Sequence, residues 1–157
     1  MRLIHFSREP FGGVFWVPQF STASSMPRGL WFGAFPGDWG EAPRFLDDVP
    51  RDVHAIQIVL HQGSRVVTLK NAQDIDAFTE TYGVATQTKR GRRIVDRIAW
   101  EAVAQRYDAI VIAPHCRERR DWPGTAWYYG WDAAAGCLWN PRAIAVIAHL
   151  RQAGGYP

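Results

Sequence analysis

Residues Val53–Leu60 hold two interleaved sets of positions. His54, Ile56, Ile58 and Leu60 make one side, apolar except at the histidine, while Val53, Ala55, Gln57 and Val59 make a mixed side. A period of two predicts a strand with one buried face. Arg2–Ser7 predicts a strand at the start of the chain, and Gly29–Gly33 a second one, bounded by glycine at both ends. Arg65–Leu69 follows the Gln62-Gly63-Ser64 turn as another, Ala109–Ala113 is a buried strand ended by Pro114, and Gly136–Trp139 is a late one. Phe11–Phe20 reads as a weak strand or an aromatic-bearing loop, and Trp127–Trp131 as extended chain. Helical spacing predicts a helix capped by Asn71 or Asp74, carrying Ala77, Phe78 and Tyr82 and stopped by Gly83. It predicts a second over Asp96–Tyr107 and a third over Arg142–Arg151, capped by Asn140 with Pro141 at its first position. Ala34–Pro43, rich in glycine and proline, is read as a loop carrying Phe35, Asp38, Trp39 and Glu41. Five to seven strands with about three helices, not in alternation, predict an α+β domain.

Composition narrows this little. A length of 157 residues fits a single domain over 1–157, and hydrophobic and charged shares of 47% and 21% are ordinary for a globular chain. The net charge of +3 permits an anionic ligand or nucleic acid and demands neither. Two cysteines make no disulfide framework, so a reduced, cytoplasmic setting is expected. No apolar run is long enough to span a membrane and no signal-peptide stretch opens the chain, so no membrane partner is expected. The 8 Trp are unusual for this length; most are expected to fill the core. Trp127–Asn140 gathers five aromatic rings around the acidic Asp132, and is read as one wall of a ligand pocket with Asp132 as its charge.

His115, Cys116 and Cys137 have no closed zinc spacing, so no metal is expected. No phosphate-cradling Gly-x-x-x-x-Gly-Lys and no Gly-x-Ser-x-Gly nucleophile turn occurs. Cys137, among small and apolar residues, reads as a buried inert thiol. What remains is an order of pieces. Leu3-Ile4-His5-Phe6-Ser7 comes first, then Pro27-Arg28-Gly29-Leu30-Trp31-Phe32, then the aromatic loop with Trp39, and last Leu138-Trp139-Asn140-Pro141-Arg142-Ala143-Ile144. In this order the chain resembles the ADP-ribosyltransferase superfamily. The resemblance implies two packed, mainly antiparallel sheets with flanking helices and a cleft that takes NAD as substrate. It implies that His5, with Phe6 and Ser7, holds a ribose, and that Trp31, on the strand of Gly29 and Phe32, packs against nicotinamide. The family's late-strand Glu is absent, with Ala134 and Ala135 standing in its place.

The chemistry asks for a carboxylate beside the positive charge that builds on the ribose as the nicotinamide bond breaks. Asp132 is the acidic candidate, with His5 as its catalytic companion; a turn-capping aspartate is the plain structural reading of the same residue. Trp31 and Trp39 are stacking candidates, and Arg28 is a candidate for the pyrophosphate. The expected function is NAD-dependent mono-ADP-ribosyl transfer, in the glycosyltransferase class. The acceptor, nucleic acid or protein, is expected to meet Lys89, Arg90, Arg92, Arg93, Arg117, Arg119 and Arg120; the plain reading of these is a solvated surface. A small toxin or effector with an antitoxin or inhibitor partner suits the size. The second expectation is a nucleotide- or NAD-binding module without chemistry, and the third a metal-independent nuclease using His5 or His115.

Overall fold

The computed structural model describes residues 2–19, 23–35, 50–91 and 93–151. In chain order these form β1 (Arg2–Ser7), β2 (Leu30–Phe35), β3 (His54–Leu60), β4 (Val66–Leu69), α1 (Ala72–Tyr82), β5 (Gly83–Gln87) and β6 (Arg93–Ile98). Then come α2 (Trp100–Arg106), β7 (Ala109–Ile112), α3 (Arg117–Arg120), a 3-10 stretch (Pro123–Gly130), β8 (Ala135–Leu138), a 3-10 turn (Pro141–Ala143) and β9 (Ile144–Arg151). Seven strands make one sheet in the order β4-β7-β8-β2-β1-β3-β9, and β5 and β6 form a separate ribbon. The class is α+β. The large sheet is mixed: β4 and β7 run parallel, and its other neighbouring pairs run antiparallel. The expected pair of packed sheets is thus one broad sheet and a two-strand ribbon.

Strand alternation sends side chains to two cores. Ile110, Ile112 and Cys137 face one side, where they meet Ile75 and Phe78 of α1, Val95 and Ile98 of β6, and Trp100 and Val103 of α2. Trp127, Tyr128, Trp131 and Trp139 complete this core. Ala109, Val111, Leu138, Phe32, Ala34, Leu3 and Ile58 face the other side. Gly136 is what lets β2 and β8 approach: a Cβ there would lie 2.3 Å from the Phe32 ring.

The rings of the Trp-rich stretch are therefore mostly core, with Tyr129 exposed. Trp127, Tyr128, Trp131 and Trp139 are all buried, and Pro123–Gly130, which carries Trp127 and Tyr128, coils as 3-10 turns instead of running extended. Three of the four buried indoles have acceptors. Trp100 donates to Ser24 O at 3.0 Å, Trp127 to Thr79 Oγ1 at 2.7 Å, and Trp139 to Tyr107 O at 2.8 Å. Trp131 Nε1 is the exception: among the described residues it is the buried side-chain polar atom without a partner.

Two further expectations give way to tertiary pairing. Asp96–Tyr107 is not one helix, since Arg93–Ile98 pairs with β5 and the helix begins at Trp100. Val95 and Ile98 are buried there in the core. The closing helix over Arg142–Arg151 is a strand. Asn140 does cap, accepting from Arg142 N at 3.1 Å, but the turn stops at Ala143 and Ile144–Arg151 pairs along β3. β-Branched Ile144, Val146 and Ile147 suit that pairing better than a helix. Between Pro114 and Pro123, Arg117–Arg120 forms one helical turn. Helix α1 is as expected: Asn71 accepts from Asp74 N at 2.9 Å.

Candidate functional site

Two histidines define two half-sites. The first lies where β1 leaves β2. Their pairing ends at Ile4↔Gly33, whereas β1 stays paired with β3 as far as Ser7↔His54. Beyond Gly33 the sheet therefore opens between β1 and β2. Ala34 N donates to Ala134 O across β8, so by the alternation of an antiparallel ladder the polar groups of Gly33 and Trp31 point toward β1. At Trp31 the strand partner has gone, and His5 Nδ1 takes its place, 2.7 Å from Trp31 O. A carbonyl can only accept, so Nδ1 carries the proton and Nε2 keeps a lone pair. Among the described residues Nε2 has no hydrogen-bond partner, and it is not among the fully buried orphan atoms. The imidazole also lies 5.8 Å from the Phe11 ring.

His5 and Trp31 are thus brought together, but through ring and backbone. By alternation His5 leaves β1 on the side of Leu3, and Trp31 leaves β2 on the side of Cys137. The Trp31 indole packs on Trp131, with centroids 4.9 Å apart.

The second half-site surrounds His115, at the carboxyl ends of the parallel strands. A cavity of about 740 Å³ is lined by Lys70, Asn71 and Ala72 after β4, by Pro114–Glu118 after β7, and by Asp132 and Ala133 before β8. His115 Nε2 lies 2.6 Å from Trp131 O, so Nε2 carries the proton here and Nδ1 keeps the lone pair. Its ring stacks on Tyr128, and Tyr128 in turn on Trp131. The Tyr128 hydroxyl accepts from Cys116 N at 3.0 Å, and burial pushes its pKa up to about 12. Burial also raises the Cys116 thiol, and the Glu118 carboxylate, 3.7 Å from Sγ, adds to that. Cys116 is therefore held as a thiol, not as an activated nucleophile. Burial raises Cys137 as well, which fits its expected inertness.

Asp132 lines this second cavity rather than the β1–β2 opening. Its side chain is 75% exposed and takes an ion pair from Arg120, so it reaches Trp31 only by way of its neighbour Trp131. The other candidates are dispersed. Phe6 meets Phe35 edge-on at 6.5 Å, and Ser7 turns back on Glu9, accepting from Glu9 N at 3.1 Å. Phe32 is core, 3% exposed. Gly29 is required by shape: its φ is +149° and a Cβ would stand 2.2 Å from Leu138 O. The Gln19 amide clamps the Arg28 backbone at both N and O, leaving the residue exposed. Trp39 and Arg92 lie outside the described residues.

Of the basic residues, Lys89 and Arg90 sit on the exposed turn between β5 and β6, with Arg93 at the foot of β6. Arg119 makes a two-pronged pair with Asp76, both contacts at 2.8 Å, and Arg120 is engaged by Asp132. Arg117 lines the cavity. Sequence reasoning missed the cavity because three distant segments build it. The readable signal was two strands ending in polar residues, Lys70-Asn71 and His115-Cys116, with a helix cap directly after the first.

Among the described residues no group of three or more His, Cys, Asp or Glu gathers as a metal site, and no helix is long and apolar enough to cross a membrane. Compared with family models, with curated proteins and with solved structures, the chain matches none.

Proposed function

We propose that the chain binds NAD at the opening between β1 and β2 and transfers its ADP-ribose to a nucleic acid or protein acceptor. The observation that carries this reading is the His5 Nδ1–Trp31 O bond of 2.7 Å across that opening. It fixes the tautomer and leaves Nε2 as an acceptor for a ribose hydroxyl. The first two segments behind the resemblance support it too, since β1 and β2 are direct neighbours in the sheet.

In the reaction the bond between ribose C1 and the nicotinamide nitrogen breaks, and its electron pair leaves with neutral nicotinamide. The positive charge left on the ribose is stabilised by a carboxylate, and the acceptor supplies a lone pair and gives up its proton. In this reading Asp132 is that carboxylate, and it must exchange Arg120 for the ribose. The second reading, NAD binding without chemistry, is favoured by this same ion pair and by Ala134 and Ala135 where the family has its acid.

Calorimetry with NAD on wild type and His5→Ala, together with a nicotinamide-release assay using protein, DNA and RNA acceptors, separates the readings. Binding that His5→Ala weakens about tenfold, with nicotinamide released, is the result expected for transfer. Binding without release leaves the binding module, and no binding ends both.

A further inference from the structure

The geometry points to the His115 cavity as a binding site for a phosphate monoester, separate from the β1–β2 opening and independent of the NAD reading. Charge is the first reason. Lys70 and Arg117 line the cavity and neither side chain has a partner among the described residues, whereas the nearby Arg119 and Arg120 are both tied to carboxylates. Of the two acids on the lining, Asp132 is paired with Arg120, while the Glu118 carboxylate accepts only from the neutral Cys116 thiol and offsets one of the two cations. Lys70 and Arg117 together outweigh that single unpaired carboxylate, so the lining keeps an attraction for an anionic monoester.

Directional groups are the second reason. Ala72, on the lining, opens the eleven-residue helix α1. Asn71 Oδ1 occupies Asp74 N, so the free N–H groups of the first turn, at Ala72 and Gln73, remain for an anion. His115 supplies the complement: Nε2 is spent on Trp131 O, and the open Nδ1 lone pair can accept the P–OH proton of the monoanion. Size is the third. About 740 Å³ far exceeds one phosphate and falls in the range of pockets that take nucleotide-sized ligands.

Inorganic phosphate titrated into the full chain, followed by histidine side-chain NMR, tests this. The expected result is that His115 signals shift and His5 signals do not. Lys70→Ala and Arg117→Ala, both at exposed positions, should each weaken binding about fivefold. His115→Gln should weaken it less. A mononucleotide that binds more tightly than phosphate extends the site to the group carrying the ester. A 5′-phosphorylated oligonucleotide that binds more tightly still, and loses that gain when its terminal phosphate is removed, identifies a nucleic-acid end as the source. Phosphate that leaves His115 unmoved, or binds both alanine variants as tightly as wild type, overturns the site. None of these arms contains NAD, so their failure is distinct from failure of the proposed transfer.

Discussion

His5 and His115 are held by the same device in opposite settings. Each donates one ring nitrogen to a tryptophan carbonyl, Trp31 at 2.7 Å and Trp131 at 2.6 Å, and those two indoles touch. The free nitrogen is Nε2 in one and Nδ1 in the other. His5 sits in a break between antiparallel strands, beside Phe11, whereas His115 sits at the end of a parallel pair among Lys70, Arg117, Glu118 and Asp132. A fixed tautomer thus does not specify a ligand; the neighbours do. The apolar opening suits a neutral, hydroxyl-bearing group, and the charged cavity suits an anion.

Trp131 joins the two sides, so its removal tests the link most severely. Trp131→Ala should cost about 3–5 kcal/mol in urea unfolding, the range for deleting a buried large aromatic. The lost Nε1 donor adds nothing to that cost, because it has no acceptor to leave behind. Both histidine signals should move in the variant. If only His115 moves, the indole contact carries no information to the first half-site.

Asp132→Asn comes next and assigns the acid to one side or the other. Should Asp132 serve the proposed transfer, nicotinamide release falls at least about a hundredfold, close to 3 kcal/mol of transition-state stabilisation, with NAD affinity unchanged. Unchanged release would return Asp132 to the His115 side as a surface residue.

Asp108 offers a way to loosen one side and leave the other. It sits at the far end of the same parallel pair, accepting from Arg65 N, Nε and NH2 and from Asn140 Nδ2. The Arg65 guanidinium, more than the Asn140 amide, holds its carboxyl below the usual range against the opposing effect of burial. A lowered folded pKa means the stabilisation is complete above the unfolded value near 3.9 and is lost as pH falls through the lower, folded value. Below about pH 4, amide exchange should therefore rise in β4 and β7 before β1 and β3. Asp108→Ala should reproduce this at neutral pH, at about 2 kcal/mol. Uniform exchange across the sheet would mean that the two sides unfold as one unit.

Most of this scaffold was legible along the chain because its signals are local. Alternation marked β3, β-prone or apolar runs marked β1 and β7, glycine bounds marked β2, and Asn71, one of two candidate caps, marked the start of α1. The misread segments are those whose partners lie far away. Ile144–Arg151 begins with a sound helix cap, and only the open edge of β3 turns it into a strand. Val95 and Ile98 fit either period until β5 pairs beside them. Trp127–Asn140 has the composition of a pocket wall, but Trp127, Tyr128, Trp131 and Trp139 pack inward and Tyr129 alone of its rings stays exposed. Of the site, His5 and Trp31 could be named from their motifs. Asp132 was named beside His5, and the structure places it on the cavity at His115, a placement its sequence neighbours do not signal; Lys70 carried no signal beyond a charge after a strand.

The smallest effect is also the most discriminating. Arg120→Ala removes an ion pair whose acidic partner is 75% exposed and whose own side chain is 38% exposed. Such pairs contribute about 0–1 kcal/mol, so stability should stay within roughly half a kcal/mol of wild type. The two half-sites should nevertheless respond in opposite senses. Freed from Arg120, Asp132 adds an uncompensated negative charge to the His115 cavity, and phosphate binding should weaken about twofold to fivefold. The same freed carboxylate no longer has to exchange a partner before meeting a ribose, so nicotinamide release should hold steady or rise. A drop in both measurements would mean that Arg120 itself contacts the anion, and the division between a neutral and a charged half-site would have to be redrawn around it.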